Sequence, residues 1–134
     1  MVTKVVHASG TRKRAVARAA LKPGKGLIRI NKMLLDVYKP VLAKNRIMEP
    51  LQLAGDIVSK VDINVNVNGG GWQAQSEATR LAIARGLLEF SGSKDLKQTF
   101  LDYDRHLIVA DIRTTEPSKP NDSKPRAKRQ KSYR

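Results

Sequence analysis

The 134-residue sequence offers few side chains for covalent or metal chemistry and many for holding anions. It has no Cys, which removes thiolate metal sites, iron–sulfur ligation, disulfides and Cys nucleophiles together. His7 and His106 are the only histidines, and neither stands in an HxH, HxxxH or HExxH arrangement, so carboxylates would have to complete any metal site. Asp102, Asp104 and Asp111 are the candidates for a metal-dependent nuclease, whose carboxylates must converge on ions roughly 4 Å apart. Asp102 and Asp104 flank Tyr103 near a predicted helix end, where side chains two apart diverge, so turn and capping roles fit them better.

The anion-holding residues are of two kinds. Arg12, Lys13, Arg14 and Arg18 crowd one stretch, and no acid occurs in the first 30 residues to pair with them. Uncompensated positive charge disfavours a compact state, which favours a polyanionic partner over a merely solvated loop. Arg80 and Arg85, on a predicted long helix, either extend that surface or pair with Glu77 and Glu89 at helical spacing. Gly69, Gly70 and Gly71 stand before that helix, where backbone amides can cradle a phosphate; the plainer reading is that they permit a sharp strand-to-helix turn. Neither GxGxxG with its acidic partner nor GxxxxGK followed by Ser or Thr is present, and the Gly24-Lys25-Gly26 turn lacks the magnesium-binding hydroxyl, which argues against nucleotide hydrolysis. Aromatic residues are only 4% of the chain, with no aromatic-rich strand, so phosphate contacts and shape should dominate over base stacking.

The net charge of +14 is unevenly placed. Residues 1–30 hold eight basic and no acidic side chains, residues 31–110 ten and nine, and residues 111–134 eight and three. A nearly neutral body therefore carries two cationic extremities, the layout of a nucleic-acid binder. From Thr114 to Pro125 three prolines with Ser and Asn read as a stiffened linker. The stretch from Lys124 to Arg134 has six basic side chains and no aliphatic larger than Ala127, and is expected to order only against a partner. The expected division is a globular body over 1–113 and a linker with basic tail over 114–134. No apolar run approaches the roughly 18 residues a bilayer needs, so no membrane role is expected and the setting is a reducing cytoplasm.

These residues need elements to hold them. Val2 to Ser9, Ala15 to Lys22 and Leu27 to Asn31 read as three strands of an antiparallel meander, with the basic cluster in the loop after the first. Leu34 to Val37 suits one helical turn, and the region from Val41 is predicted helical with a break at Pro50. Val61 to Asn68 alternates aliphatic and polar residues strictly, a strand with one wet face. Trp72 to Phe90 has a helical stripe of Ala74, Ala78, Leu81 and Leu88, ended by Ser91-Gly92-Ser93. Lys94 to Asp104 reads as a second helix on Leu96, Phe100 and Leu101, and Leu107 to Ala110 as a last short strand. The order predicts an α+β fold, a two-layer α/β sandwich.

A series of motifs then resembles one family. The run Ser9-Gly10-Thr11-Arg12-Lys13-Arg14-Ala15-Val16-Ala17-Arg18-Ala19 looks like its N-terminal signature, and Lys22 to Asn31 like its hairpin. Gly69-Gly70-Gly71 with Gln75, Ala78, Arg80, Ile83, Ala84, Arg85 and Leu88 is similar to its long-helix motif. Tyr103-Asp104, Asp111, Arg113, Glu116-Pro117 and Gln130-Lys131-Ser132-Tyr133-Arg134 complete the series in order. The family is the universal small ribosomal subunit protein nine family, and the Lys-Ser-Tyr-Arg ending resembles its archaeal and eukaryotic branch. The sequence departs from that branch at Ile112, commonly Pro, and over 120–124, commonly Gly-rich.

The resemblance implies a non-enzymatic ribosomal protein without cofactor, folded like the second domain of ribosomal protein five with a left-handed crossover. It implies a place in the head of the small subunit, beside neighbouring head proteins and bound to the 3′ major domain of 16S-type rRNA. The expected rRNA-binding residues are Arg12, Lys13, Arg14, Arg18, Lys25, Gly69, Gly70, Gly71, Arg80, Arg85, Lys124, Arg126, Lys128 and Arg129. The tail is implied to reach the anticodon stem-loop of P-site tRNA through Lys131, Ser132, Tyr133 and Arg134. Rival readings are a metal-dependent RNA-processing enzyme and a free-standing DNA-compacting protein.

Overall fold

The computed structural model describes residues 3–120, 124–128 and 132–134. Strand β1 (Val6–Arg12) and strand β2 (Ala15–Pro23) form an antiparallel hairpin with Arg12 opposite Ala15. Strands β3 (Ile28–Ile30) and β4 (Met33–Leu34) form a second, shorter hairpin. Strand β5 (Val61–Asn68) lies between them, antiparallel to β2 and parallel to β3, so the five-stranded order is β1-β2-β5-β3-β4. The three N-terminal runs are thus not a meander, because β5 separates the second from the third. The wet-faced alternation of β5 is what lets it serve as the central strand: Val61, Ile63, Val65 and Val67 are buried while its backbone is paired on both edges. Lys25 N–H and Leu27 N–H both donate to Asp62 Oδ1, which carries the chain from β2 across the start of β5. The Leu27 and Lys25 amides hold the Asp62 carboxyl below its ordinary value.

Helix α1 (Val41–Ala54), helix α2 (Trp72–Ser91) and helix α3 (Lys94–Tyr103) complete the fold. Pro50 does not break α1; it sits inside the helix and is buried. Counted with Ala43, Ile47, Leu51 and Ala54 it belongs to a regular buried stripe, and that burial outweighs a missing N–H. Because β3 and β5 are parallel neighbours, the connection between them is a crossover through α1. Helix α2 is the centre of the helical layer, with Ala78, Ala82, Ile83 and Leu87 fully buried between the sheet and its neighbouring helices. Gly10 on β1 lets it approach: a Cβ there would collide with the Ala78 carbonyl oxygen and lie 2.7 Å from the Ala82 nitrogen.

The left-handed Gly92 (φ 64°) ends α2, and the Ser93 hydroxyl, accepting from Leu96 N–H, starts α3. Leu96 and Phe100 are buried as expected, but Leu101 is exposed. The predicted strand from Leu107 to Ala110 is absent. A 3-10 turn (Arg105–Leu107) precedes an irregular segment, because Leu107 plugs the core and the Ile108 carbonyl accepts from the Arg85 guanidinium instead of a strand partner. The result is a two-layer α+β sandwich with helices on one face of the sheet.

Candidate nucleic-acid interface

The antiparallel register of β2 and β5, with Val16 opposite Asn68, brings the β1–β2 turn beside the glycines that follow β5. Lys13 and Arg14, Gly70 and Gly71, and Thr114 and Thr115 consequently line one open cleft with Ala74. Gly69 (φ 80°) and Gly70 (φ 66°) are left-handed, and a Cβ on Gly69 would collide with the Arg14 carbonyl oxygen. The glycines therefore serve both readings at once: they make the turn, and they let it lie against the cationic hairpin. Gly71 is the N-cap of α2 and has no side chain to cap the first-turn amides. Free amides, the positive end of a 20-residue helix and two exposed cations converge on the same space. Lys13 stands at φ 52°, a left-handed conformation that a non-glycine residue adopts at a cost of about 1–2 kcal/mol.

The other predicted cations divide. Arg12 is the last residue of β1, not part of the loop, and its side chain is only 15% exposed. Its Nε lies 2.7 Å from Glu77 Oε2, another nitrogen 3.7 Å from Asp111 Oδ2, and Nη1 donates to the Arg113 carbonyl. Glu77 also takes Arg46 at 2.8 Å. Arg80 pairs with Glu49 at 2.6 Å and Asp104 at 3.0 Å, and Arg85 donates to the carbonyls of Ile108 and Ser9. Neither expected partner holds: Arg80 does not use Glu77, nor Arg85 Glu89. These three arginines instead fasten the segment from Asp104 to Arg113 onto α2 and β1, a role without local sequence signal because the acids are distant in the chain.

Asp104 and Asp111 are absorbed by the same network, while Asp102 is held within α3. Asp102 accepts from Gln98, Asp104 from His106 N–H and Arg80, and Asp111 from Arg113. Burial pushes the Asp104 carboxyl up, but the His106 amide and the Arg80 hydrogen bond and charge outweigh it and leave it below its ordinary value. The Arg113 side chain and amide, helped by the Arg12 charge, hold Asp111 far below the usual carboxylate range. Among the described residues no three His, Asp or Glu side chains gather as a ligand set.

Arg18 is exposed on the helix-free face of the sheet, and Lys25 is exposed in the β2–β3 loop. In the tail, Lys124 and Lys128 are exposed, while Arg126 pairs with Glu116 at 3.0 Å. Ser132, Tyr133 and Arg134 are exposed, whereas Arg129 and Lys131 lie outside the described residues.

The model of a family described as ribosomal protein S9/S16 matches residues 10–134. The chain belongs to the ribosomal protein S9/S16 family. It is similar to the small ribosomal subunit protein uS9 of Methanococcus maripaludis, with 52% identity over 133 residues, 98% of this chain and 99% of that protein. The uS9 of Methanococcus vannielii is 50% identical over the same shares. As a member of the S9/S16 family the chain is a structural protein of the ribosome and not an enzyme. The family match begins at Gly10, the residue on which α2 rests, and takes in every residue of the cleft.

Proposed function

We propose that this ribosomal protein, a structural component of the small subunit in the cytoplasm, docks on the 3′ major domain of 16S-type rRNA in the subunit head. In this reading residues 1–113 form the docking body and residues 114–134 leave it as a linker and basic tail. Lys13, Arg14 and the amides at the start of α2 take backbone phosphates, with Arg18, Lys25, Lys124, Lys128 and Arg129 as further cations and Arg126 freed from Glu116 when RNA competes. Arg12, Arg80 and Arg85 act differently: they are positioning residues that aim the segment leading to Thr114 past the same cleft. Lys131, Ser132, Tyr133 and Arg134 then reach P-site tRNA beyond the neighbouring head proteins.

The observation that carries the reading is the meeting of the Lys13-Arg14 turn with the uncapped start of α2. Both cations are exposed and uncompensated by any acid within the cleft, and an anion seated there gains hydrogen bonds as well as charge. Trp72, the single Trp, is 42% exposed as the first residue of α2 and directly follows Gly71 of the cleft lining. Titrating the protein with a transcript of the 3′ major domain should change Trp72 fluorescence saturably, at midpoints that rise steeply with salt. Lys13→Glu with Arg14→Glu should weaken that binding, and binding indifferent to both substitutions and to salt would remove the reading.

A further inference from the structure

The helices cover one face of the sheet, and among the described residues no element packs on the opposite face. The strand registers fix what that face presents. One row across the sheet reads Ser9, Arg18, Asn66, and the next reads His7, Ala20, Asn64, Arg29. Thr11, Val16 and Asn68 form a third row. Two adjoining depressions open here, one lined by His7, Ser9, Arg18 and Asn64, the other by Arg29, Lys32 and Leu34, and they share Asn64 and Asn66.

Arg18, Arg29 and Lys32 are exposed and form no ion pair among the described residues. The one acid among these strands, Asp62, lies at the far end beside Lys22 and accepts the Lys25 and Leu27 amides. Asn31 (φ 49°) and Lys32 (φ 70°) form the two-residue turn of the β3–β4 hairpin, whose twist calls for a left-handed backbone at both, and this places Lys32 at the hairpin tip. Asn64, Asn66 and Asn68 are exposed and follow one another at every second residue of β5, which spaces their carboxamides about 6.8 Å apart on one line. A carboxamide both donates and accepts, as a hydroxyl partner requires. None of the five strands contains Phe, Tyr or Trp, so the face lacks the large aromatic platform on which a sheet stacks successive unpaired bases, and His7 is the one aromatic ring among its strands.

We propose that this open face is a second RNA-docking surface, on which Arg18, Arg29 and Lys32 meet phosphates and Asn64, Asn66 and Asn68 meet the 2′-hydroxyl groups of a base-paired segment. The partner follows from the chemistry: unpaired cations on both sides of a polar row want a polyanion, and the carboxamides match the 2′-hydroxyls lining the shallow groove of an RNA helix. An acidic protein segment would meet the cations but leave the asparagine row without its hydroxyl partners. The inference rests on the rRNA-docking reading above and extends it to a surface separate from the Lys13-Arg14 cleft.

The absence of Cys makes a direct test available. Asn66→Cys, Lys13→Cys and, on the outer side of α1, Asn45→Cys each carry one tethered iron chelate, and each protein is bound to the 3′ major domain transcript before hydroxyl radicals are generated. Scission from the Asn66→Cys probe is expected on two facing strands of one RNA helix, several-fold above the Asn45→Cys level. Background scission from Asn66→Cys with clear scission from Lys13→Cys overturns the open-face proposal and leaves rRNA docking standing. Scission confined to an unpaired loop overturns the paired-RNA assignment, and no scission from any position with no transcript retained overturns both readings. Independently, Arg18→Gln, Arg29→Gln and Lys32→Gln together should lower the log–log salt slope of binding by about 2–3, at roughly 0.7–0.9 for each phosphate no longer neutralised. An unchanged slope, with an unchanged unfolding midpoint, also overturns the proposal.

Discussion

Arg12 at the end of β1 and Glu77 in α2, 65 residues apart in sequence, are joined at 2.7 Å between Nε and Oε2. Glu77 is shared with Arg46, and Arg12 reaches on to Asp111 and the Arg113 carbonyl, so this one pair ties the sheet, two helices and the outgoing chain together. A cation that looks free in the sequence is thereby a structural fastener.

Arg12→Ala should accordingly lower stability by about 1.5–3 kcal/mol, the range for hydrogen bonds to charged groups left without a partner. Urea unfolding measures it. The same substitution should leave the salt slope of rRNA binding unchanged, since Arg12 does not present its charge to solvent. A slope reduced by about 1 would assign Arg12 a phosphate after all.

Lys13→Glu with Arg14→Glu should do the reverse. Both side chains are exposed at the hairpin tip, so the unfolding midpoint should move little. Binding to the 3′ major domain transcript should weaken, with the log–log slope falling by roughly 0.7–0.9 for each phosphate that the pair no longer neutralises. Filter retention over a range of salt concentrations measures this.

What is legible in the sequence and what is not follows from the range of each signal. The alternation of β5, the stripe of α2 and the Gly92 stop are local patterns, and each element forms where its pattern runs. The insertion of β5 between β2 and β3 is not legible, because a strand's own alternation says which face is buried and not which strands lie beside it. Pro50 reads as a break only while its ring is left out of the buried stripe to which it belongs. For the site, the residue types single out Lys13 and Arg14 and Gly69 to Gly71 as separate anion-holding candidates, and only the pairing register brings them to one cleft and its turn. The roles of Arg12, Arg80 and Arg85 are hidden for the same reason: their partners lie across the fold.

Gly10→Ala should destabilise the body by about 1–3 kcal/mol, the usual cost of forcing extra volume into a packed site. The added methyl would meet the Ala78 carbonyl and the Ala82 nitrogen, backbone atoms that move only if α2 lifts from β1. Thermal unfolding measures the loss, and an unchanged midpoint would show that α2 sits less tightly than the geometry requires.

Stability should also fall in acid, with a sign set by Asp104 and Asp111. Both carboxyls lie below the ordinary value of 3.8 in the folded protein, so the folded state binds fewer protons than the unfolded chain at low pH. Their contribution is complete above that ordinary value and is lost as pH falls through it toward the folded values. Asp104→Asn should flatten the decline in urea midpoint between about pH 5 and pH 2, the window in which depressed carboxylates are titrated. An equally steep decline would place the acid sensitivity in other carboxylates.

The tail can be tested apart from the body because the fastening ends before it begins. Asp111 is the last acid bound to Arg12, and Arg113 the last residue whose carbonyl accepts from that side chain. Deleting residues 124–134 removes six basic side chains and only one pair to the rest of the described chain, Arg126 with Glu116 at 3.0 Å on the surface. Exposed pairs of this kind contribute about 0–1 kcal/mol, so the body should unfold at nearly the same midpoint. Binding of tRNA to the P site of small subunits carrying the shortened protein should weaken, most visibly at low salt, because each phosphate contact removed also flattens the salt dependence. Arg134→Ala should give a smaller loss in the same direction, because one guanidinium is removed while Tyr133, 88% exposed, and the remaining cations stay. Unchanged tRNA affinity at every salt concentration would confine this protein's contacts to rRNA.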